Sequence, residues 1–252
     1  MKPCRIALSG KGGTGKTTLA ALLITELVEA GETPILAVDA DPNSNLHEAL
    51  GVEIGETLGG MREEAFTRRI PPGTSRKEYI ALRFRQVLVE SKGFDLVAMG
   101  RPEGLGCYCF ANTLLSEAME YLEKEYQWLV VDSEAGMEHL SRRTVGMPDI
   151  LLVTSDPSAR GIRTADRIRD LAVSIGIEKD RIFLVFNRVK SSSEIWKEED
   201  TSIFAIVPED PEVETADING NPLAGLGRST PARIAVRSLL QKVKKTCSRL
   251  PT

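Results

Sequence analysis

The chain has 252 residues, of which 42% are hydrophobic, and its 36 acidic and 32 basic residues give a net charge of -4. This length supports one sizeable hydrophobic core, so we predict a single domain over residues 1–252. No basic block and no apolar run of roughly 20 residues is present, which argues against nucleic acid and a membrane as partners. We therefore expect a cytoplasmic protein whose four cysteines stay reduced rather than forming a disulfide framework.

Six short apolar runs predict strands, in chain order CRIALS, PILAVDA, FDLVAMG, QWLVVDS, DILLVTS and RIFLVFN. Their nearly continuous hydrophobicity is typical of parallel strands that are covered on both faces. Between them, apolar residues recur at helical spacing over residues 16–30, 111–124 and 158–175. The alternation predicts an α/β fold, a doubly wound, mostly parallel sheet flanked by helices. Residues 54–91 are the least regular stretch and are interpreted as an insertion whose role stays open.

The first predicted strand leads directly into GKGGTGKT at residues 10–17, which match the phosphate-binding pattern G-x-x-x-x-G-K-[ST]. The match lies between a predicted strand and a predicted helix, which is the structural context that this motif requires. Backbone N–H groups of the loop would surround the phosphates of ATP, Lys16 would pair with the β- and γ-phosphates, and Thr17 would coordinate Mg²⁺. The predicted phosphate-binding residues are Gly10, Lys11, Gly12, Gly13, Thr14, Gly15, Lys16, Thr17 and Thr18.

The stretch KGGTGKTT, with its early lysine Lys11, resembles the deviant P-loop (deviant Walker A motif) of the MinD, nitrogenase iron protein and ParA class of dimeric ATPases. This resemblance implies a homodimer that forms with ATP bound. It also implies that Lys11 reaches across the dimer interface and stabilises the phosphoryl transition state, as an arginine finger does in other enzymes. The alternative interpretation of Lys11 is a solvated surface lysine.

Two carboxylate sites lie at the ends of predicted strands, where open parallel sheets bind their ligands. In AVDADPN, the resemblance implies that Asp41 polarises the attacking water and that Asp39 is a second-sphere Mg²⁺ partner. In VVDSEAG, Asp132 would hold Mg²⁺ through water and Gly136 would sense the γ-phosphate. Alternatively, each aspartate only caps the following helix. The predicted magnesium residues are Thr17, Asp39 and Asp132, and the predicted catalytic residues are Lys11, Lys16, Asp41 and Asp132.

The nucleobase site is predicted from two later segments. Asn187 and Arg188 directly follow the apolar residues RIFLVF of the sixth predicted strand, and Pro208, Glu209 and Asp210 come later in the chain. This is the pattern by which the same class of ATPases holds adenine. Guanine-binding P-loop proteins usually carry N-K-x-D, whereas the residues here are NRVK, so adenine is favoured. A helix-capping asparagine is the alternative for Asn187.

Cys107 and Cys109 lie in the sequence GCYC, between a predicted strand and a predicted helix at the nucleotide edge of the sheet. Two thiolates are half of a tetrahedral S₄ site, and a two-fold dimer would supply the other half. The alternatives are two partly buried small hydrophobes or a redox dithiol.

The segments MGRPEGLGCYCFANTLL and AGMEHLSRRT resemble the CooC family of nickel-insertion ATPases. That resemblance implies binding of Ni²⁺ or Zn²⁺ at Cys107 and Cys109, dimerisation when ATP or metal is bound, and delivery of nickel to a client such as carbon monoxide dehydrogenase. The other hypotheses are an iron–sulfur cluster carrier ATPase and a MinD-like positioning switch driven by ATP. Cys4 and Cys247 are expected to be small apolar packing residues, and His47 and His139 surface or capping residues.

Overall fold

The protein is described by a computed structural model that covers residues 3–58, 72–100, 116, 123–134, 146–191 and 203–249. Over these residues an eight-stranded sheet has the strand order β3-β4-β2-β5-β1-β6-β7-β8. Its neighbours are parallel, except that β3 is antiparallel to β4. The strands are β1 Cys4–Gly10, β2 Ile35–Asp39, β3 Val89–Glu90, β4 Phe94–Ala98, β5 Trp128–Asp132, β6 Ile150–Ser155, β7 Ile182–Val189 and β8 Ile203–Pro208. The predicted α/β fold is confirmed.

Six α-helices flank this sheet in the described part of the chain. They are α1 Lys16–Glu29, α2 Leu46–Leu50, α3 Arg76–Val87, α4 Ala159–Ser174, α5 Pro211–Asn219 and α6 Pro231–Cys247. The predicted helices at 16–30 and 158–175 therefore agree with the structure to within a residue at each end. The one predicted at 111–124 lies outside the described residues, except for Ser116 and the short 3₁₀ helix Glu123–Glu125. None of the described helices combines the length and the apolar character that crossing a bilayer requires.

The expectation of an irregular segment over 54–91 is wrong for its second half, because helix α3 occupies residues 76–87. A capping box begins this helix. The Ser75 hydroxyl accepts a hydrogen bond from the Glu78 backbone N–H at 3.2 Å, and the Glu78 carboxylate accepts one from the Ser75 N–H at 2.9 Å. The S-x-x-E pattern that marks this start is visible in the sequence and was overlooked beside the Gly and Pro residues.

Two apolar layers cover the sheet, one on each face. Along β1, Ile6 and Leu8 join the core cluster formed with α1 and α6, whereas Ala7 joins the cluster formed with α3 and α4. Because successive side chains of a strand point to opposite faces, a strand covered on both sides must be apolar throughout. This explains the unbroken burial of β2, β5 and β6. Strand β8, at the edge, alternates instead and leaves Ile206 43% exposed.

A buried ion-pair network joins the C-terminal half of α1 to α6. Glu26 is 2% exposed, and its two carboxylate oxygens accept hydrogen bonds from Nε of Arg233 at 2.7 Å and from Nε of Arg237 at 2.8 Å. Arg233 is 1% exposed and also pairs with Glu29 at 2.7 Å. Buried charges are costly unless they are paired, and each charge of this network lies within 2.8 Å of an opposite charge.

The first and last elements are joined covalently, since Cys4 at the start of β1 and Cys247 at the end of α6 form a disulfide. Their Cα atoms are 6.1 Å apart, within the range that a disulfide spans. Both cysteines pack at the margin of the α1/α6 core cluster, as expected for small apolar residues. The expectation that neither would form a disulfide is wrong. The reason is tertiary: the two residues are separated by 243 positions in the sequence.

Candidate functional site

The P-loop connects the end of β1 to the start of α1, in the centre of the sheet. The Lys16 ammonium folds back over the loop, with Nζ 3.3 Å from the carbonyl oxygen of Gly10 and 3.4 Å from that of Lys11. Lys16 is 8% exposed, whereas Lys11, Gly12 and Gly13 are exposed at the outer side of the loop. The loop therefore holds one lysine inside the phosphate site and presents the other to the outside.

The end of β7 braces this loop. Nδ2 of Asn187 donates a hydrogen bond to the carbonyl oxygen of Thr14 at 2.9 Å, and Nη1 of Arg188 reaches that of Gly13 at 3.4 Å. Gly15 has φ of 82°, and a side-chain Cβ there would collide with the Asn187 amide. Arg188 itself has φ of 58°, which is uncommon for a residue other than glycine. The two residues predicted to contact the base thus also set the conformation of the phosphate loop.

Two buried carboxylates lie side by side at the carboxyl edge of the sheet. Asp39 of β2 is paired in register with Asp132 of β5, and their exposures are 0% and 1%. Asp39 accepts hydrogen bonds from the backbone N–H groups of Asp41 at 3.1 Å and Leu46 at 2.9 Å. Oδ2 of Asp132 accepts one from the Thr17 hydroxyl at 2.5 Å, while its Oδ1 is buried without a hydrogen-bond partner. Strands β2 and β5 and the first turn of α1 thus bring together the three residues predicted for magnesium.

Burial raises the pKa of both carboxylates in this pair. Desolvation, followed by the negative charge of Asp132, raises the pKa of Asp39 to about 8. Burial also raises the pKa of Asp132 to about 6, against the lowering effects of the Thr17 hydroxyl and the Lys16 charge. The site therefore favours a proton or a cation at the two carboxylates.

An oxygen-rich donor set of this kind fits Mg²⁺, which prefers carboxylates, hydroxyls and water. The buried, unpartnered Oδ1 of Asp132 is an available acceptor next to the Thr17 hydroxyl. Thr17 and Asp132 would hold the ion, directly or through water, and Asp39 would stabilise its hydration shell. When bound there, the ion would neutralise phosphate charge during hydrolysis.

The predicted water-activating residue, Asp41, follows β2 in a tight turn. One of its carboxylate oxygens accepts from the backbone N–H of Asn43 at 2.8 Å and from the Asn43 side-chain amide at 3.0 Å. Its backbone carbonyl accepts from the N–H of Ser44 at 2.9 Å, and Ser44 has φ of 51°. The Ser44 hydroxyl in turn accepts from the N–H of Gly100 at 3.0 Å. The Asp41 turn is thereby joined to the end of the β4 segment.

Two adjoining cavities extend from the P-loop to the ends of β7 and β8. The larger, of about 650 Å³, is lined by the P-loop, Asp41 and Asn43. The smaller, of about 250 Å³, is lined by Asn187, Pro208 and Glu209 among others. Residues Thr18, Arg188 and Asp217 line both cavities. All five predicted base-binding residues therefore line this cleft, together with six of the nine predicted phosphate-binding residues, whereas Gly10, Lys11 and Thr14 are not among its lining residues.

One wall of the smaller cavity was missed by the sequence interpretation. Helix α5 contributes Val213, Glu214, Asp217 and Ile218, of which Ile218 is 77% exposed. A recognisable start signal was present, because Asp210 precedes Pro211 at the first helical position. The short apolar run that forms β8 could likewise have indicated a strand before it.

Asp210 occupies a structural position at the rim of this cavity. Its Oδ1 accepts from the N–H of Glu212 at 3.0 Å and its Oδ2 from the N–H of Ala232 at 2.9 Å. One carboxylate therefore caps the starts of both α5 and α6. Glu209 lies beside it, 3.7 Å from Nζ of Lys190.

Cys107, Cys109, Gly136 and His139 lie outside the described residues. His47 lies on α2, with Nδ1 buried and without a hydrogen-bond partner. Among the residues that the structure covers, no group of three or more His, Cys, Asp or Glu side chains has a metal-binding arrangement. The predicted thiolate site thus stays a prediction.

Proteins of known sequence or structure resemble this chain over most of its length. The chain is 40% identical over 247 residues to an uncharacterised ATP-binding protein of Methanocaldococcus jannaschii, covering 94% of this chain and 97% of that protein. It is 28% identical over 233 residues to the carbon monoxide dehydrogenase accessory protein CooC of Rhodospirillum rubrum, covering 86% and 88%. The septum site-determining protein MinD of Pyrococcus horikoshii, solved with Mg-ADP, has the same fold, with a TM-score of 0.71, 20% identity and 97% coverage of both chains.

The model of the CobQ/CobB/MinD/ParA nucleotide binding domain, CbiA, matches residues 6–223. This range contains the P-loop, the buried aspartates Asp39 and Asp132, and the residues Asn187 and Arg188 of β7 that contact the P-loop. Members of the MinD, ParA and CooC groups are ATPases, so ATP hydrolysis is the activity expected here. The chain belongs to the CobQ/CobB/MinD/ParA family of nucleotide-binding domains.

Proposed function

We propose that this ATPase is a nickel metallochaperone that binds its cargo at Cys107 and Cys109 of two subunits and transfers it to an enzyme such as carbon monoxide dehydrogenase. The observation that carries the proposal is the hydrogen-bonded connection from the Asp41 turn through Ser44 to Gly100. Gly100 is the last described residue before the segment that contains both cysteines.

This connection is built to transmit a change in the nucleotide site. Ser44 is 6% exposed, and both its backbone N–H and its hydroxyl are engaged. Its left-handed backbone conformation is costly for serine and persists only while the surrounding contacts hold it. Loss of the γ-phosphate would alter the Asp41 turn, and the shared hydrogen bonds would pass that change to the start of the cysteine segment.

The roles in hydrolysis follow from the placement of each group. Lys16, inside the loop, would neutralise the β- and γ-phosphates. Asp41 takes two hydrogen bonds at one carboxylate oxygen from Asn43, which leaves the other to orient the attacking water. Lys11, exposed on the outer side of the loop, would reach the nucleotide of a second subunit.

A homodimer would place Lys11 of one subunit near the nucleotide of the other and would bring the two cysteine segments close together. A two-fold axis facing the nucleotide edge would bring two cysteine segments together, and four thiolates form a tetrahedral site suited to thiophilic metals. Similarity to the CooC protein supports nickel as the cargo, and the choice between Ni²⁺ and Zn²⁺ is left to measurement because both accept thiolate ligands.

The cargo site is tested by equilibrium dialysis with Ni²⁺ and with Zn²⁺, in the presence of a non-hydrolysable ATP analogue and under reducing conditions. We expect one metal per dimer for the wild type, and loss of that metal in the Cys107→Ser/Cys109→Ser variant. The matched control is Cys4→Ser/Cys247→Ser, which removes the other two cysteines and should retain the metal. Unchanged stoichiometry in the first variant would refute the site.

The connection between the Asp41 turn and Gly100 is tested separately with Ser44→Ala, which removes both the acceptor for the Gly100 N–H and the hydroxyl that donates to the Asp41 carbonyl oxygen at 3.2 Å. We expect ATP hydrolysis within about threefold of wild type, because the hydroxyl does not line the phosphate cavity. The factor by which the ATP analogue changes the metal dissociation constant should fall to about a tenth of its wild-type value. Ser75→Ala, in the capping box of α3, is the control. If the ATP analogue changed the metal affinity of Ser44→Ala as much as that of the wild type, transmission through the Ser44 hydroxyl would be excluded.

Two further measurements distinguish the other hypotheses. An iron–sulfur carrier would show visible absorbance after anaerobic purification that the Cys107→Ser/Cys109→Ser variant loses. A MinD-like switch would pellet with liposomes in ATP but not in ADP, independently of nickel.

A further inference from the structure

We propose that Cys4 and Cys247 are a thiol–disulfide exchange site, whose oxidation state controls the stability of the last turns of α6 without changing nucleotide binding. The class of co-reactant is a disulfide-bearing oxidant, such as glutathione disulfide, and the corresponding thiol as reductant. This site is independent of the proposed nickel site and contains neither of its cysteines.

The placement of the pair is suited to exchange. Both cysteines are partly buried residues at the margin of the α1/α6 core cluster and are not enclosed within it, which is the setting that exchange with a small thiol requires. Oxidation begins when one thiolate attacks the oxidant and forms a mixed disulfide, releasing one thiolate of the oxidant. The second cysteine then attacks its neighbour's sulfur and expels the other, so that two cysteine thiols are oxidised and one disulfide is reduced to two thiols.

The two halves of α6 are held by contacts of different strength. The first half carries Arg233 and Arg237, which are paired with the buried Glu26. Among the described residues, the side chains of the second half are held by polar contacts between Lys244 and Glu32 and between Lys242 and the carbonyl oxygen of Phe204, with the Lys242 ammonium also 5.5 Å from the centre of the Phe204 ring. Lys242 is exposed and the Lys244–Glu32 pair is only partly buried, and ion pairs near the surface contribute little to stability. The disulfide is thus the strongest attachment of the last turns beyond the buried Val243.

The exchange site lies at the amino end of the central strand β1, and the phosphate loop follows the carboxyl end of the same strand. Cys4 begins β1 and Gly10 ends it, so the sulfur atoms and the phosphate loop are separated by the length of the strand, about 20 Å. The core of α1 and α6 between them is held by the Glu26 network, which does not depend on thiol chemistry. Reduction should therefore loosen the chain terminus and leave the P-loop in place.

The test uses the full chain with Cys107→Ser/Cys109→Ser, so that only the proposed pair can react. After equilibration in glutathione disulfide, denaturation and alkylation, we expect no labelled thiols and a monomer by non-reducing electrophoresis. After glutathione, we expect two labelled thiols. The melting temperature should fall by about 10 °C on reduction, because the bond closes nearly the whole chain.

Local loosening is measured by trypsin, since Lys244 and Lys245 lie in the affected turns. Cleavage there should be about tenfold faster in the reduced form, while the ADP dissociation constant changes less than about twofold. Adding Cys247→Ser to the same background should abolish every redox effect, and Cys4→Ser is the second variant if that one folds poorly. Two titratable thiols in glutathione disulfide, equal melting temperatures in both states, or a tenfold change in ADP affinity would overturn the proposal.

Discussion

Helix α1 has a buried charged cluster near each end, and the two clusters differ in how their charges are compensated. Near its C-terminal half, Glu26 is held by two arginines. Near its N-terminus, Asp39 and Asp132 share a buried position with one hydroxyl, a few backbone N–H groups and the nearby charge of Lys16.

This difference distinguishes a structural cluster from a functional one. Compensated charges stabilise the packing of α1 on α6, whereas the aspartate pair has raised pKa values and a buried oxygen without a partner. A protein retains such a destabilising group where a ligand completes it. The raised pKa values and the incomplete hydrogen bonding at the P-loop end are therefore the features that indicate a cation site.

The largest effect is expected from Lys16→Ala at the functional end. Loss of the buried ammonium should lower kcat/KM for ATP about 1000-fold and should also weaken ADP binding. Lys11→Ala is the matched variant, because it removes the outward-facing lysine of the same loop. That change should lower kcat by a similar factor while ADP binding stays within about twofold. Steady-state kinetics and calorimetric titration distinguish the two, and equal losses of ADP affinity would contradict separate roles.

At the structural end, Arg233→Ala should destabilise the protein by about 3–5 kcal/mol, because it leaves Glu26 buried with one partner fewer. Urea unfolding measures this change. ADP affinity of the folded protein, measured well below the transition, should stay near that of the wild type. Replacing both residues, Glu26→Met with Arg233→Leu, should recover most of the loss. A double variant as unstable as the single one would show that the charges are not the cause.

The aspartate pair predicts a pH dependence of stability in the nucleotide-free protein. The pKa of Asp39 is raised from 3.8 to about 8 in the folded state. Between these values the folded chain binds more protons than the unfolded chain, so stability falls as pH rises. From about pH 6 to pH 8 the free energy of unfolding should decrease by about 2–3 kcal/mol.

Bound Mg-ADP should flatten that pH dependence, since a cation replaces the proton. Asp132→Asn should also reduce it, because one of the two buried negative charges is removed. Urea denaturation at both pH values, with and without Mg-ADP, is the measurement. Stability that rises with pH over this interval would contradict the assignment.

The smallest effect concerns the helix starts around the base cavity. Asp210→Ala removes the cap of both α5 and α6 and should cost about 2 kcal/mol. Ser158→Ala removes a single cap, the hydroxyl that accepts from the Gly161 N–H at 3.1 Å, and should cost about 1 kcal/mol. Thermal unfolding of the two variants compares them directly. Equal losses would mean that one of the two Asp210 hydrogen bonds contributes nothing.

Much of the sheet and the phosphate site could be predicted because their signals are local. Each central strand is covered on both faces and reads as an apolar run, and the P-loop is a contiguous motif between a strand and a helix. Edge strands give weaker signals: β8 alternates with solvent exposure and β3 has only two residues, and neither was predicted. Helix α3 was also missed, although its capping box was readable.

The amino-acid sequence by itself determined the fold class and the chemistry of the phosphate loop, because both depend on residues adjacent in the chain. Only the tertiary structure decided the contacts between distant segments. It paired Glu26 with Arg233 across 207 positions, gave Asp210 two helices to cap, and joined Cys4 to Cys247. No local pattern encodes such pairs, because each forms only when packing of the whole sheet and its helices brings separate elements within bonding distance.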